Sequence, residues 1–195
     1  MISAREGTPE ARSYRQTWPV RSFVLAVTGR DRPGIVAAVT RVLLEHDVNL
    51  EDAEMAILRG HFAIVLILSA PDELGQAQLR EELQAVGREL PLEAVTLSAV
   101  EQLAGGSPEP THAISVYGAD HPGIVHGVAE ALARHEVNVV DLSTRVVGDD
   151  PMYVMLLDVA LPPSLDNAAL DELLAGVGQE LGVDVSARAL DRDVL

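Results

Sequence analysis

Apolar positions along the chain change their period in a fixed order. Phe23 to Val27 is a compact β-type run ending at the Gly29 turn. From Pro33 to His46 the apolar residues Ile35, Val39, Val42 and Leu43 recur at helical spacing, with Arg41 and Glu45 on the other side. Asp47-Val48-Asn49 predicts the end of that helix and the start of a strand over 48–58, with Ala53, Met55 and Ile57 on one face. Arg59-Gly60-His61 predicts a hairpin turn. Phe62 to Leu68 is apolar without alternation, the pattern of a central strand covered on both faces, and Pro71 breaks it. A second helix is predicted over 73–89 from the stripe Leu79, Leu83 and Val86, and a last strand over 92–100. The order is β-α-β-β-α-β.

That order occurs twice. Gly29-Arg30-Asp31-Arg32-Pro33-Gly34-Ile35-Val36 returns as Gly118-Ala119-Asp120-His121-Pro122-Gly123-Ile124-Val125, an offset of 118 − 29 = 89 residues. His46, Val48, Asn49 and Asp52 then fall on His135, Val137, Asn138 and Asp141. A repeat of this length is a domain duplication. The second copy predicts strands at 113–117, 137–147, 152–160 and 183–190 and helices at 122–135 and 166–181, with Ile124, Val128, Leu132 and His135 in one stripe. Its second hairpin turn, Gly148-Asp149-Asp150-Pro151, is longer than the first.

The expected fold class is α+β: two tandem ferredoxin-like βαββαβ domains, each an antiparallel sheet with two helices on one face. Right-handed crossovers place the first and third strands centrally. The expected organisation is an N-terminal arm at 1–20, a first domain at 21–101, a linker at 102–110 containing Gly105-Gly106-Ser107-Pro108, and a second domain at 111–191. In the arm, Trp18 before Pro19 reads as a packing anchor. The repeats, arm and linker leave no stretch for a separate catalytic domain. The unbroken run 62–68 implies that the sheet face away from the helices is buried by the other domain or by another chain.

Composition narrows the function. The net charge is −16, from 14 basic and 30 acidic residues. Direct binding of nucleic acid or of an anionic membrane needs a basic face, so neither is expected. The acidic balance fits a soluble cytoplasmic protein. There is no cysteine, hence no thiolate chemistry and no cysteine-based zinc site. The first twenty residues mix Arg5, Glu6, Glu10, Arg12 and Arg15 without an apolar core, unlike a secretory signal. The longest apolar run is too short to span a bilayer.

The duplicated corner is where chemistry is expected. Pro33 suits a first helical turn, since its missing N–H would be unpaired there. The N–H groups of Gly34 and Ile35, and of Gly123 and Ile124 in the second copy, sit where partial positive charge accepts a carboxylate. Gly29, Gly34, Gly118 and Gly123 allow close approach to the backbone. Asp31 or Asp120 can pair with an ammonium group, and Asn49 or Asn138 offers both a donor and an acceptor. Together these suit a zwitterion. Each residue also has a structural reading: the Asp as a helix cap, the Gly and Pro as shapers of the turn, the Asn as a junction residue. The residues alone leave both open. His121 and His126, five apart, do not share a helical face, so no metal site is expected. His46 and His135 read as helix-end residues. No nucleophile–base pair or phosphate loop is present in the sequence, so neither catalysis nor a cofactor is expected.

A βαββαβ unit with an (Asp/Asn)-x-Pro-Gly corner after its first strand, and Val-Asn opening its second, resembles the ACT domain. Two in tandem over 22–190 resemble the glycine cleavage system transcriptional repressor family, as does Asn49-Leu50-Glu51-Asp52-Ala53-Glu54. The resemblance implies a non-enzymatic, allosteric regulatory protein that senses an amino acid or related metabolite. It implies action through a protein partner, a transcription factor or a metabolic enzyme, and homodimeric or intramolecular ACT–ACT pairing. In the family the ligand lies between ACT units, held by the corner and by the strand-two Asn. Carried over, those are Asp31 with Asn49 and Asp120 with Asn138. Gly29 and Gly118 stand where a His is frequent in amino-acid-binding relatives, and Asp replaces Asn in the corner. These departures favour one alternative, a ligand-free structural or dimerisation module; a further alternative is a detached regulatory subunit of an amino-acid biosynthetic enzyme. Arg30 and Arg32 flank Asp31, whereas Ala119 and His121 flank Asp120, so the two sites are expected to differ.

Overall fold

The computed structural model describes residues 20–90, 92–100, 108–148 and 152–190. The expectations for the arm with Trp18, for linker residues 102–107 and for turn residues 149–151 fall outside them. The chain divides into two compact units, Met1–Leu103 and Ala104–Leu195. The first holds β1 (Val20–Arg30), α1 (Ile35–Glu45), β2 (Asn49–Leu58), β3 (His61–Pro71), α2 (Gln76–Glu89) and β4 (Leu92–Val100). The second holds β5 (His112–Ala119), α3 (Ile124–Arg134), β6 (Asn138–Val147), β7 (Met152–Ala160), α4 (Asn167–Leu181) and β8 (Val183–Ala189). The sheets have strand orders β2-β3-β1-β4 and β6-β7-β5-β8. All pairs are antiparallel, and the first and third strands of each unit are central, as the crossover rule requires. This is the duplicated ferredoxin-like fold.

Each core lies between one sheet face and the two helices. In the first unit Leu25, Leu66 and Leu68 meet Ile35 from α1 and Leu79 and Leu83 from α2. In the second, Ile114, Met155 and Leu157 meet Ile124, Leu132 and Leu170. Full burial of each such side chain contributes about 1.5–3 kcal/mol relative to exposure.

Local chemistry moved several boundaries. β1 runs from Val20 to Arg30 because it pairs on both sides, and its polar Ser22 and Thr28 fall on the face away from the helices. Helix α1 begins at Ile35 rather than Pro33, because Gly34 is left-handed at φ 98°. Gly123 does the same to α3 at φ 106°. Pro33 and Pro122 therefore shape the corner ahead of the helix rather than occupying its first turn. Helix α2 starts at Gln76 because a Leu74 N–H···O Pro71 turn and an extended Gly75 precede it. Both first helices end on a residue with positive φ, Asp47 at 53° and Glu136 at 57°. The N–H of Val48 returns to Leu43 O at 2.9 Å and that of Val137 to Leu132 O at 3.1 Å, a Schellman-type termination. His135 is the exposed residue at that helix end and not a member of the apolar stripe.

Strand β3 has one face covered by the helices of its unit. Within its own unit its burial alternates, Phe62, Ile64, Leu66, Leu68 and Ala70 facing the helices while Val65 on the other face is 45% exposed. Its hydrophobic run reads as two-sided, but the unit covers only one side.

Candidate functional site

The two corners are built alike. After Gly34 the first intrahelical bond is Ala38 N–H to Gly34 O at 2.9 Å, and after Gly123 it is Gly127 N–H to Gly123 O at 2.8 Å. The amides of the first turn are thus left without intrahelical acceptors. Among the described residues no side chain caps either helix, and neither Asp31 nor Asp120 does so. Asp31 is exposed, and its own N–H donates to Gly60 O at 2.9 Å, clamping the corner to the β2–β3 hairpin. In the second corner the ring nitrogens of His121 lie 2.9 Å from Leu181 O and 3.1 Å from Pro122 O, tying the corner to the end of α4. Arg32, at the matching position, has no such tie among the described residues. The corners also differ underneath. Phe62 is replaced by Tyr153, whose hydroxyl burial raises its pKa, with the Asp120 carboxylate nearby adding to the effect.

The predicted site residues do not converge within one unit. Asn49 pairs with Ser69, whereas Arg30, next to Asp31, pairs with His61. Along β3 that separation is 69 − 61 = 8 residues, about 26 Å at about 3.3 Å each. In the second unit Asn138 pairs with Ala160 while Ala119 pairs with Met152, again 160 − 152 = 8 residues. The topology dictates this, since the helix returns the chain to the far end of the sheet before the second strand begins. A single-unit pocket holding a ligand between Asp31 and Asn49 is therefore excluded.

The glycines and isoleucines of the corners have clear structural duties. A Cβ on Gly29 would lie 3.1 Å from Leu92 Cα, and one on Gly118 only 2.7 Å from Val183 Cγ1. Both glycines admit the adjacent strand, β4 or β8. Ile35 and Ile124 are core residues at 2% and 1% exposure, so only their amides face the corner.

At the far end of the first sheet stands a group that residue spacing did not single out. A bulge between Leu50 and Asp52 makes Glu51 the extra residue of β2. Glu51 Oε1 accepts from Ser69 Oγ at 2.6 Å and from Asn49 Nδ2 at 2.9 Å. The Ser69 hydroxyl first, and then the Asn49 amide, hold its carboxyl below the usual range. The bulge recurs between Val139 and Asp141, but there the extra residue is Val140. A signal existed in the sequence: Leu50 and Ala53 face the same side three residues apart, which breaks the two-residue period.

Both second strands are sheet edges, and β2 is exposed along its whole length, with Met55 and Ile57 about half exposed (48% and 50%). Such an edge presents unpaired backbone donors and acceptors to another strand. Among the described residues no group of three or more His, Asp or Glu side chains is arranged to hold a metal. No described helix is long and apolar enough to cross a membrane.

A duplicated ferredoxin-like sheet, each copy with an uncapped glycine corner at one end and an Asn-led edge strand at the other, defines the class. The chain belongs to the ACT domain family, whose profile matches residues 21–96 and 112–188. It is 24% identical over 179 residues to the glycine cleavage system transcriptional repressor of Escherichia coli, covering 87% of this chain and 90% of that one. It is 30% identical over 167 residues to phosphoserine phosphatase SerB2 of Mycobacterium tuberculosis, covering 85% of this chain but only 40% of the phosphatase. A UPF0237 protein of Methanopyrus kandleri is 42% identical over 73 residues, 37% of this chain and 81% of that one. Among solved structures, a protein of unknown function from Galdieria sulphuraria superposes with TM-score 0.72 at 28% identity over 89% of this chain and all of the other. A putative glycine cleavage system transcriptional repressor shares the fold, with TM-score 0.66 at 17% identity, 89% of this chain and 99% of that one.

Proposed function

We propose that this protein is a non-enzymatic cytoplasmic regulator that binds a small amino acid, or a similar zwitterionic metabolite, between the edges of two ACT sheets from two copies of the chain. Occupancy strengthens that pairing and changes contact with a protein partner, a transcription factor or a metabolic enzyme. The observation that carries the reading is the eight-residue separation of corner and Asn along the sheet, present in both units. If an exposed edge strand pairs antiparallel with its equivalent, the start of one strand lies beside the end of the other. The Asn of one sheet then meets the corner of its neighbour. There the amides after Gly34 take the ligand carboxylate, and Asp31 and Asn49 take its ammonium. Gly123, Asp120 and Asn138 do the same in the second unit. Glu51, already held as an anion by Ser69 and Asn49, adds a negative group to the first site alone.

The test is calorimetry of the full chain against the standard amino acids. At least one is expected to bind, and Asp31→Ala with Asp120→Ala, or Asn49→Ala with Asn138→Ala, is expected to weaken it at least tenfold. Silence from all the amino acids refutes amino-acid sensing; full affinity in both double variants refutes the site. The duties of Gly29 and Gly118 as strand spacers favour a second reading, a dimerisation module without a ligand. That reading predicts a dimer whose sedimentation does not respond to any amino acid.

A further inference from the structure

The two units share a helix pair but not what lies between the helices. In the first unit His46 Nε2, at the end of α1, lies 2.6 Å from Glu82 Oε2 on α2 and closes the seam. In the second unit the matching position of α4 is Leu173, and His135 has no partner among the described residues. Around it the second unit carries smaller side chains: Gly127 for Ala38, Ala131 for Val42, Ala169 for Gln78 and Gly176 for Ala85. The result is a groove of about 530 Å³ between α3 and α4.

Gly176 is the telling residue. It lies inside α4, where glycine costs about 1 kcal/mol relative to alanine. Other helix glycines have a packing reason: a Cβ on Gly127 would stand 3.0 Å from Leu181 Cδ1, and one on Gly178 would stand 2.8 Å from the Val183 carbonyl oxygen. A Cβ on Gly176 would meet nothing within 4 Å. No described residue of its own unit explains this glycine, whereas a close-lying external backbone would.

The charge on the rim selects the visitor. Glu130 is paired with Arg134 at 2.9 Å, while Glu172 and Glu180 form no ion pair among the described residues. In a chain of net charge −16 these unpaired carboxylates attract a cationic visitor to this groove in preference to an acidic surface. From Ala169 to Glu180 is 180 − 169 = 11 residues, about 16 Å at about 1.5 Å each, the length of three helical turns. We infer that the α3–α4 groove of the second unit is a docking site for a basic amphipathic helix of a partner protein. Its apolar stripe lies on Ala131, Leu173 and Gly176, and its Lys or Arg residues reach Glu172 and Glu180. Docking stands on the groove alone; its regulatory meaning rests on the function proposed above.

The probe is a fluorescein-labelled 14-residue Leu/Lys amphipathic peptide, titrated by anisotropy against the full chain, with a Leu/Glu peptide of the same pattern beside it. The Leu/Lys peptide is expected to bind and the Leu/Glu peptide not to. Gly176→Leu fills the floor, raises helix propensity and is expected to weaken binding at least tenfold. Ala168→Leu adds the same bulk to an exposed site on α4 outside the groove and is expected to leave binding unchanged. Glu172→Gln with Glu180→Gln is expected to weaken binding and flatten its salt dependence. Absence of Leu/Lys binding, equal binding to all the variants, or equal binding of the Leu/Glu peptide overturns the inference. Thermal melts verify that each variant is folded, and unchanged amino-acid calorimetry in Gly176→Leu separates this site from the ligand site.

Discussion

Replacing Gly118 by alanine tests whether the corner glycine is kept for strand packing. The new Cβ would stand 2.7 Å from Val183 Cγ1, 3.1 Å from its Cβ and 3.3 Å from its Cα. Carbon pairs prefer about 3.5–4.0 Å. Rotating Val183 relieves only the first contact, so β8 must move away from its pairing with Gly118. Overpacking of this kind costs about 1–3 kcal/mol. The lower chain entropy of unfolded alanine returns about 0.4–1 kcal/mol, too little to cancel it. Val183→Ala alone deletes two buried carbons and costs about 2 kcal/mol by transfer and cavity terms. In the double variant the 2.7 Å contact is gone, so its loss is expected to fall short of the sum of the two single losses by about 1 kcal/mol. Gly29→Ala with Leu92→Ala is the contrast. Leu92 Cα at 3.1 Å and Glu93 N at 3.3 Å are backbone atoms that no side-chain truncation removes, so rescue there is expected to be smaller. Urea unfolding followed by far-ultraviolet circular dichroism gives the free energies, and the m-values show whether the unfolded state has changed. A neutral Gly118→Ala, or strict additivity with Val183→Ala, refutes the packing account of that glycine.

Three further outcomes are expected. Asp166→Ala removes the only described side-chain helix cap, a 2.8 Å bond from Ala169 N–H, and should cost about 1 kcal/mol in the same unfolding assay. Gly34→Ala and Gly123→Ala meet no atoms within 4 Å but force alanine to φ near 98° and 106°, so each should cost about 1–2 kcal/mol from backbone strain alone. Glu51 and Glu82 are both held below the ordinary carboxyl range, Glu51 chiefly by Ser69 and Glu82 chiefly by its hydrogen bond from His46. A lowered folded pKa gives stability that is complete above the unfolded value of about 4.3 and disappears as pH falls through the folded value. Melting temperatures between pH 6 and 3 should therefore fall less steeply in Glu51→Gln and Glu82→Gln than in the parent.

How far the sequence carries depends on what sets each feature. Element order and strand order were legible because they follow from a change of hydrophobic period and from crossover handedness, both local or generic. The start of α1 was misplaced by two residues because proline is at home in a first turn, and only the left-handed φ of Gly34 decides otherwise. The run Phe62–Leu68 registers what the strand can bury on both faces, whereas its own unit covers one, so the occupant of the second face is not written in the unit. For the site, the corner and the Asn were legible as a repeated pair, but their distance was not, because it is a property of sheet register. Glu51 and Gly176 were passed over because their meaning comes from neighbours distant in sequence, Ser69 for the one and the empty seam beside α3 for the other.

Register also gives the sharpest prediction. Helix α1 lifts the chain off β1 at the corner and sets it down at the other end of the sheet, so corner and Asn of one unit lie about 26 Å apart and cannot hold one amino acid between them. If each site takes its corner from one chain and its Asn from another, two weakened variants must complement each other. Asp31→Ala with Asp120→Ala damages every corner, and Asn49→Ala with Asn138→Ala damages every Asn, so neither protein alone binds at parental affinity. In a two-fold pair made of one chain of each kind, half of the sites join an intact corner to an intact Asn, and the other half join the two damaged parts. Random exchange puts about half of the chains in such mixed pairs, so about a quarter of the parental sites should return. The measurement is calorimetric stoichiometry after the two variants have been mixed and exchanged through mild urea. Recovery near a quarter, at parental affinity, requires sites shared between chains; no recovery after verified exchange of subunits refutes edge pairing between copies as the origin of the site.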